Sequence, residues 1–262
     1  MKYGFLGCGN MGGAIARALS KVTKDIIITD RSGKAKELAR ELEIQYAGAE
    51  KIVSCCDRIF LAVKPQMMAG VLEPLKEQLQ KRKPLVITMA AGLTIDRIEE
   101  LAGGSLPVIR IMPNTPVAVG EGMTQYCRNA LVEDEVLNSF REDMRFSGRL
   151  DELDEHLIDA ASALSGCGPA YMYLFIEALA DGAVACGVPR AKAMEYAAAT
   201  MVGAGEMVLA TRMHPGALKD AVCSPGGSTI AGVRALEQHG FRGAAMDCVA
   251  AAFERNRELG KK

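Results

Sequence analysis

Short apolar runs alternate with helical periodicity through the first part of the chain. Lys2–Leu6, Asp25–Thr29, Arg58–Val63, Leu85–Met89 and Val108–Met112 read as strands. Between them, Met11–Leu19, Gly33–Leu42, Met67–Gln80 and Ile95–Leu101 carry the apolar spacing of helices. Continuous apolar strands separated by helices predict a parallel sheet covered on both faces. Glu121–Cys127 and Arg145–Leu150 are expected as strands that finish the sheet's edge.

From Glu155 onward the strand signal disappears. Ala, Met, Leu and Glu dominate, and His156–Leu164, Ala170–Cys186, Arg190–Leu209, Pro215–Val222, Thr229–His239 and Arg242–Leu259 read as helices. Gly187-Val188-Pro189 and Met213-His214-Pro215-Gly216 punctuate them. The expected organisation is an α/β doubly wound sheet over residues 1–152 and an all-α domain over residues 153–262. So small a helical domain, rich in small apolar residues, is expected to bury part of its surface against another copy.

Composition narrows the function classes. Lys plus Arg total 31 and Asp plus Glu 32, for a net charge of -1. That balance leaves no basic footprint for nucleic acid. No apolar run approaches the length of a bilayer span. The first strand starts at about Lys2, which leaves no room for a signal peptide. The eight cysteines form no C-x-x-C pair, and most lie among apolar residues. Together these features point to free thiols in the cytoplasm. His156, His214 and His239 are far apart without ligand spacing, so no metal site is expected.

The chemistry begins at Gly7-Cys8-Gly9-Asn10-Met11-Gly12, a G-x-G-x-x-G motif between a strand and a helix. Gly7 permits the tight turn, Gly9 lets backbone approach a pyrophosphate, and Gly12 brings helix against strand. The pyrophosphate sits at the positive end of that helix. The sheet is therefore expected to be of Rossmann type and to bind a dinucleotide. Asp30, at the end of the second strand, stands where an acidic group normally binds the adenine ribose of NAD. Arg31 and Ser32 follow at once and suit the 2′-phosphate of NADP. NADP(H) is favoured, with NAD(H) left open. Ala62-Val63-Lys64-Pro65 and Ala90-Ala91-Gly92 end the next strands, on the side where open parallel sheets bind ligands.

Ser224-Pro225-Gly226-Gly227-Ser228-Thr229 has the make-up of a carboxylate site. Pro225 suits the first turn of a helix, Ser224 its N-cap, and the glycines leave backbone N–H groups open. His214, before Pro215, reads as a helix-entry residue.

Met112-Pro113-Asn114-Thr115-Pro116, Ser165-Gly166-Cys167-Gly168-Pro169-Ala170-Tyr171, His214–Asp220 and Cys223–Thr229 join the glycine motif in one order along the whole chain. This series resembles the pyrroline-5-carboxylate reductase family. The resemblance implies an oxidoreductase that delivers hydride from NAD(P)H to the imine of 1-pyrroline-5-carboxylate, giving L-proline. It implies that Ser224, Gly226, Gly227 and Ser228 hold the substrate carboxylate, with Glu155 nearby. It places Thr229 at the ring nitrogen and Asn114 among the cofactor contacts. It also implies a homodimer through the helical domain, in some assemblies extended to a decamer. Ala49 and Glu50 stand where the family often has Asn, Ala221 where some members have Asn, and Ser228 where some have Ala.

Two other readings stay open on sequence. A β-hydroxyacid dehydrogenase would place a catalytic lysine in the helical domain, where Lys192 and Lys219 stand. A nucleotide-sensing protein without catalysis would keep only the first motif.

Overall fold

The computed structural model describes residues 1–260. The first stretch runs β1 (Tyr3–Leu6), α1 (Asn10–Leu19), β2 (Ile26–Thr29), α2 (Lys34–Leu42), β3 (Gln45–Tyr46), α3 (Ala49–Cys55) and β4 (Arg58–Leu61). It continues with α4 (Met68–Leu72), α5 (Lys76–Arg82), β5 (Leu85–Thr88), α6 (Ile95–Leu101), β6 (Val108–Met112), β7 (Gly122–Arg128), α7 (Asp134–Asp143) and β8 (Gly148–Glu152). The remainder is helical: α8 (Glu155–Ser165), α9 (Gly168–Ala185), α10 (Arg190–Thr211), α11 (Pro215–Ala221), α12 (Ser228–Gln238) and α13 (Phe241–Gly260).

The strands form one eight-stranded sheet in the order β3-β2-β1-β4-β5-β6-β7-β8. β1 to β6 are parallel, β7 is antiparallel to β6, and β8 runs parallel to β7. The two edge strands expected from sequence are therefore present and run against the rest. Apolar alternation splits the core between the two faces. Phe5, Ile28, Phe60, Ile87 and Ile109 pack under α1, α2 and α7. Leu6, Ile27, Leu61, Val86 and Val108 pack under α3 to α6 and under Ile158 of α8. Every central strand is thus buried on both faces, as doubly wound sheets require.

Three local features differ from the sequence reading. The expected helix Met67–Gln80 is α4 and α5 with a 3-10 turn at Glu73–Leu75, because Pro74 has no N–H for the helical ladder. β3 and α3 fill a stretch to which the sequence pattern assigns no element. α7 is a polar helix that buries Leu137 and Phe140.

The described chain divides into two compact units, Met1–Cys167 with Ala252–Gly260, and Gly168–Ala251. The division falls after α8, later than the boundary expected near 152, because α8 packs on β7. In the second unit α9 and α10 pack on each other around Ala180, Ala193 and Ala197. No described helix is long and apolar enough to cross a membrane.

Candidate functional site

The strand order reverses between β2-β1 and β1-β4, which makes the carboxyl ends of β1 and β4 the switch point of the sheet. A cleft of about 520 Å³ opens there. That volume falls within the range of small-molecule sites. Gly7, Cys8 and Gly9 line it from β1, Asp30, Arg31 and Ser32 from β2, and Ala62, Val63 and Lys64 from β4.

The three motif glycines do different work. Gly7 has φ +98°, and a Cβ there would lie 2.6 Å from the Ala62 carbonyl oxygen. A Cβ on Gly12 would lie 2.8 Å from Ala62 Cβ and from the Gly7 oxygen. These two glycines are required by the fold. A Cβ on Gly9 would meet nothing within 4 Å. Gly9 therefore faces open space where the ligand backbone contact is expected, and the cradle fits a pyrophosphate at the N-terminus of α1. Asn10, Met11 and Gly12 open that helix. Burial, then the charge of Asp30, pushes the Cys8 thiol up to about 12, so it lines the cleft as a neutral group.

At the β2 end, Asp30 Oδ2 accepts the Ser32 hydroxyl at 2.6 Å and Oδ1 accepts the Gly33 N–H at 3.0 Å. Both carboxylate oxygens are thus engaged within the loop, which leaves Arg31 exposed at the rim. Lys64 is exposed as the chain turns into Pro65. Ala90 to Gly92 lie at the end of β5 without lining the cleft, with Gly92 at φ +75°.

Asn114 is turned inward. Its Nδ2 donates to the Ser165 carbonyl at 3.0 Å, and its Oδ1 accepts the Met123 N–H at 2.9 Å. Glu155 is likewise occupied: its Oε1 accepts Ile95 N–H at 2.8 Å and Arg110 Nη1 at 3.2 Å. Both side chains tie α8 and the sheet together rather than standing free.

Sequence reasoning missed Met67, Gly70, Val71, Pro74 and Leu75, which line the cleft together with Ala49 and Glu50. It also missed Arg110 and Asp159. The available signal was a lone charge inside the apolar run Val-Ile-Arg110-Ile-Met, because a charge so placed needs a buried partner.

In the second unit, Ser224 to Gly227 form a turn closed by Gly227 N–H to the Ser224 carbonyl at 3.0 Å. Pro225 occupies its second position and Gly226, at φ +69°, its third, the pattern of a type II turn. Gly227 is the N-cap of α12, so Pro225 and Ser224 precede the helix instead of starting and capping it. A Cβ on Gly227 would lie 2.4 Å from Ser224 Oγ, which would have to rotate away, and 3.2 Å from the Ser224 carbonyl oxygen. Because the Gly227 N–H closes the turn, the open donors of the helix start at Ser228. The first backbone bond reaches back from Ala231 to Gly227 at 3.3 Å, leaving the N–H groups of Ser228, Thr229 and Ile230 ahead of it. Thr229 lies in this first turn with its side chain exposed in the single chain. His214 caps α11 as expected, its Nδ1 accepting the Gly216 N–H at 3.0 Å.

The chain matches the family described as pyrroline-5-carboxylate reductase dimerisation over residues 155–259. Residues 2–92 match the family described as NADP oxidoreductase, coenzyme F420-dependent. It is 42% identical to the pyrroline-5-carboxylate reductase of Escherichia coli (strain K12), over 99% of this chain and 98% of that one. The chain belongs to the pyrroline-5-carboxylate reductase family. Solved pyrroline-5-carboxylate reductases share its structure: that of Coxiella burnetii at TM-score 0.90 and 32% identity, covering 98% of both chains. The Plasmodium falciparum pyrroline carboxylate reductase, solved with NADP bound, has TM-score 0.87 and 33% identity over 99% of this chain and 98% of that one. Lys192 lies in an ion pair with Glu195 and Lys219 in one with Asp220. Membership of this family displaces the hydroxyacid-dehydrogenase reading that rested on these two lysines.

Proposed function

We propose that the chain reduces 1-pyrroline-5-carboxylate to L-proline with NADPH, the last step of proline biosynthesis. The observation that carries this reading is the 42% likeness running through 99% of the chain, so that the glycine motif and the Ser-Pro-Gly-Gly turn both fall within it. Bound NADPH supplies a hydride to the imine carbon. The chain's task is to hold that carbon in place, and positioning supplies much of the rate. Gly7 to Gly12 take the pyrophosphate. Ala62 to Pro65 and Ala90 to Gly92 border the nicotinamide half. Arg31 and Ser32 take the 2′-phosphate, supported by the engagement of Asp30 inside its own loop.

Ser224, Gly226 and Gly227 shape the turn that offers the N–H groups of Ser228 and Thr229 to the substrate carboxylate. The hydroxyl of Thr229 hydrogen-bonds the ring nitrogen as the iminium becomes an amine. A homodimer through the helical domain, built up into a decamer, covers the exposed apolar residues of the second unit. The eight free cysteines, and the absence of a spanning helix among the described residues, support the cytoplasm as its location. The test is oxidation of NADPH on adding 1-pyrroline-5-carboxylate, repeated with NADH. Faster turnover with NADPH is expected, and no turnover with either cofactor overturns the reading.

A further inference from the structure

A charge network centred on the buried Arg110 lies outside the lining of the cleft and has no part in the reading above. Arg110 stands in the middle of β6 at 2% exposure. Its Nη2 donates to Asp159 Oδ1 at 2.7 Å and its Nη1 to Glu155 Oε1 at 3.2 Å. Both carboxylates come from α8, whose register Asn256 fixes further by donating to the Asp159 carbonyl at 3.1 Å. The Glu155 oxygen that meets Arg110 also accepts the N–H of Ile95, the first residue of α6. That helix has its own local cap, Thr94 Oγ1 accepting Arg97 N–H at 3.2 Å. Its N-terminus is therefore closed twice, once locally and once by a carboxylate brought from α8. Directly ahead of Ile95 runs the loop from Ala90 to Thr94, at the carboxyl end of β5.

We infer that Glu155, held by Arg110, is a positioning residue for the loop from Ala90 to Thr94. The catalytic consequence rests on the reading that this loop borders the nicotinamide. A carboxylate at a helix N-terminus is favoured by the helix dipole and by the open N–H groups. The planar guanidinium of Arg110 fixes where that carboxylate can stand, because its donors form a rigid fork. Arg110 reaches the sheet interior and Glu155 is only partly buried, so the buried charge orients the more exposed one. Removing Glu155 leaves the Thr94 cap intact, so α6 still forms. The hydrogen bond that ties Ile95, the residue directly after the loop, to α8 is lost. Hydride transfer is sensitive to displacements of about 1 Å. The loss therefore falls on the chemical step and on the surroundings of the nicotinamide. The adenylate half, bound at the ends of β1 and β2, is spared.

The alternative role for Glu155 is direct contact with the substrate through its charge. Glu155→Gln separates the two, since the amide oxygen still accepts the Ile95 N–H while the charge is gone. The full-length assembled protein is compared as wild type, Glu155→Ala and Glu155→Gln. Measurements are steady-state rates, fluorescence of bound NADPH, affinity for 2′,5′-ADP and thermal melting. Glu155→Ala is expected to lower kcat about 10- to 100-fold and to change the emission of bound NADPH, with 2′,5′-ADP affinity unchanged. Glu155→Gln is expected to recover most of the rate and the wild-type emission. A Glu155→Ala protein with wild-type kcat and emission overturns the inference, as does Glu155→Gln as slow as Glu155→Ala. Loss of 2′,5′-ADP affinity together with a collapsed melting temperature shows a purely structural tie, and also overturns it. If the wild type fails to reduce pyrroline-5-carboxylate, the NADPH emission and 2′,5′-ADP readings still decide the positioning role.

Discussion

The two compact units handle their apolar residues in opposite ways. In the first, Phe5, Ile15, Ile27, Ile87 and Ile109 are fully buried, and both faces of the sheet are closed by the chain's own helices. In the second, the buried apolar residues among those described are Ala180, Ala193 and Ala197. Tyr173, Leu174, Tyr196, Val202 and Met246 stand open to solvent, Leu174 at 69% exposure and Met246 at 68%. Burying one such side chain contributes about 1.5–3 kcal/mol. The first unit is thus finished by its own sequence. The second leaves large apolar side chains uncovered by this chain, which agrees with its match to a dimerisation family.

The sharpest way to break this comparison is a charge on the open face. Leu174→Asp is expected to give a monomer by light scattering with no measurable turnover. An unpaired charge in a dry interface costs several kcal/mol. The first unit should still bind NADPH, read by its fluorescence. A Leu174→Asp protein that remains a dimer removes Leu174 from the interface.

Next in size is Thr229→Ala, which probes the second unit's chemical contribution. A group that meets the substrate nitrogen acts in the transition state, so kcat should fall about 10²- to 10⁴-fold with little change in NADPH affinity. A lower melting temperature with unchanged kcat would make Thr229 a cap and nothing more.

Arg31→Ala is the smallest expected effect and belongs to the first unit alone. Losing one charge-assisted hydrogen bond costs about 1.5–3 kcal/mol. The KM for NADPH should therefore rise about 10- to 100-fold while that for NADH stays the same. Equal effects on both cofactors would show that Arg31 does not read the 2′-phosphate.

The same contrast explains what was legible in the sequence. In the first unit, continuous apolar runs and the Gly7–Gly12 motif name the sheet, its winding and the ligand end, because periodicity and glycine sterics are local. Pro74 also acts locally, yet the apolar spacing of Met67–Gln80 outweighs it until the break at Glu73–Leu75 is seen. The short β3 pairs with β2 through only Gln45 and Tyr46, too little for any pattern. α7 carries its two core residues, Leu137 and Phe140, on an otherwise polar helix.

Polar side chains were harder to place, since their partners lie far along the chain. Asn114 meets Ser165 and Met123, and Glu155 meets Ile95 and Arg110. The family resemblance implied ligand contacts for both, and only the tertiary fold shows the partners that engage them. At Ser224–Gly227 the Pro-Gly pair favours a turn over a helix start. The positive φ of Gly226 decides between the two, and the first open N–H moves to Ser228.

The central claim is hydride delivery to the imine carbon by this chain. NADPH carrying deuterium at the transferring position of C4 is incubated with the protein and 1-pyrroline-5-carboxylate, and the product is examined by mass spectrometry and NMR. The account predicts L-proline with one deuterium at C5, the former imine carbon, formed in step with NADPH oxidation. No L-proline, or L-proline without label at C5, would contradict it.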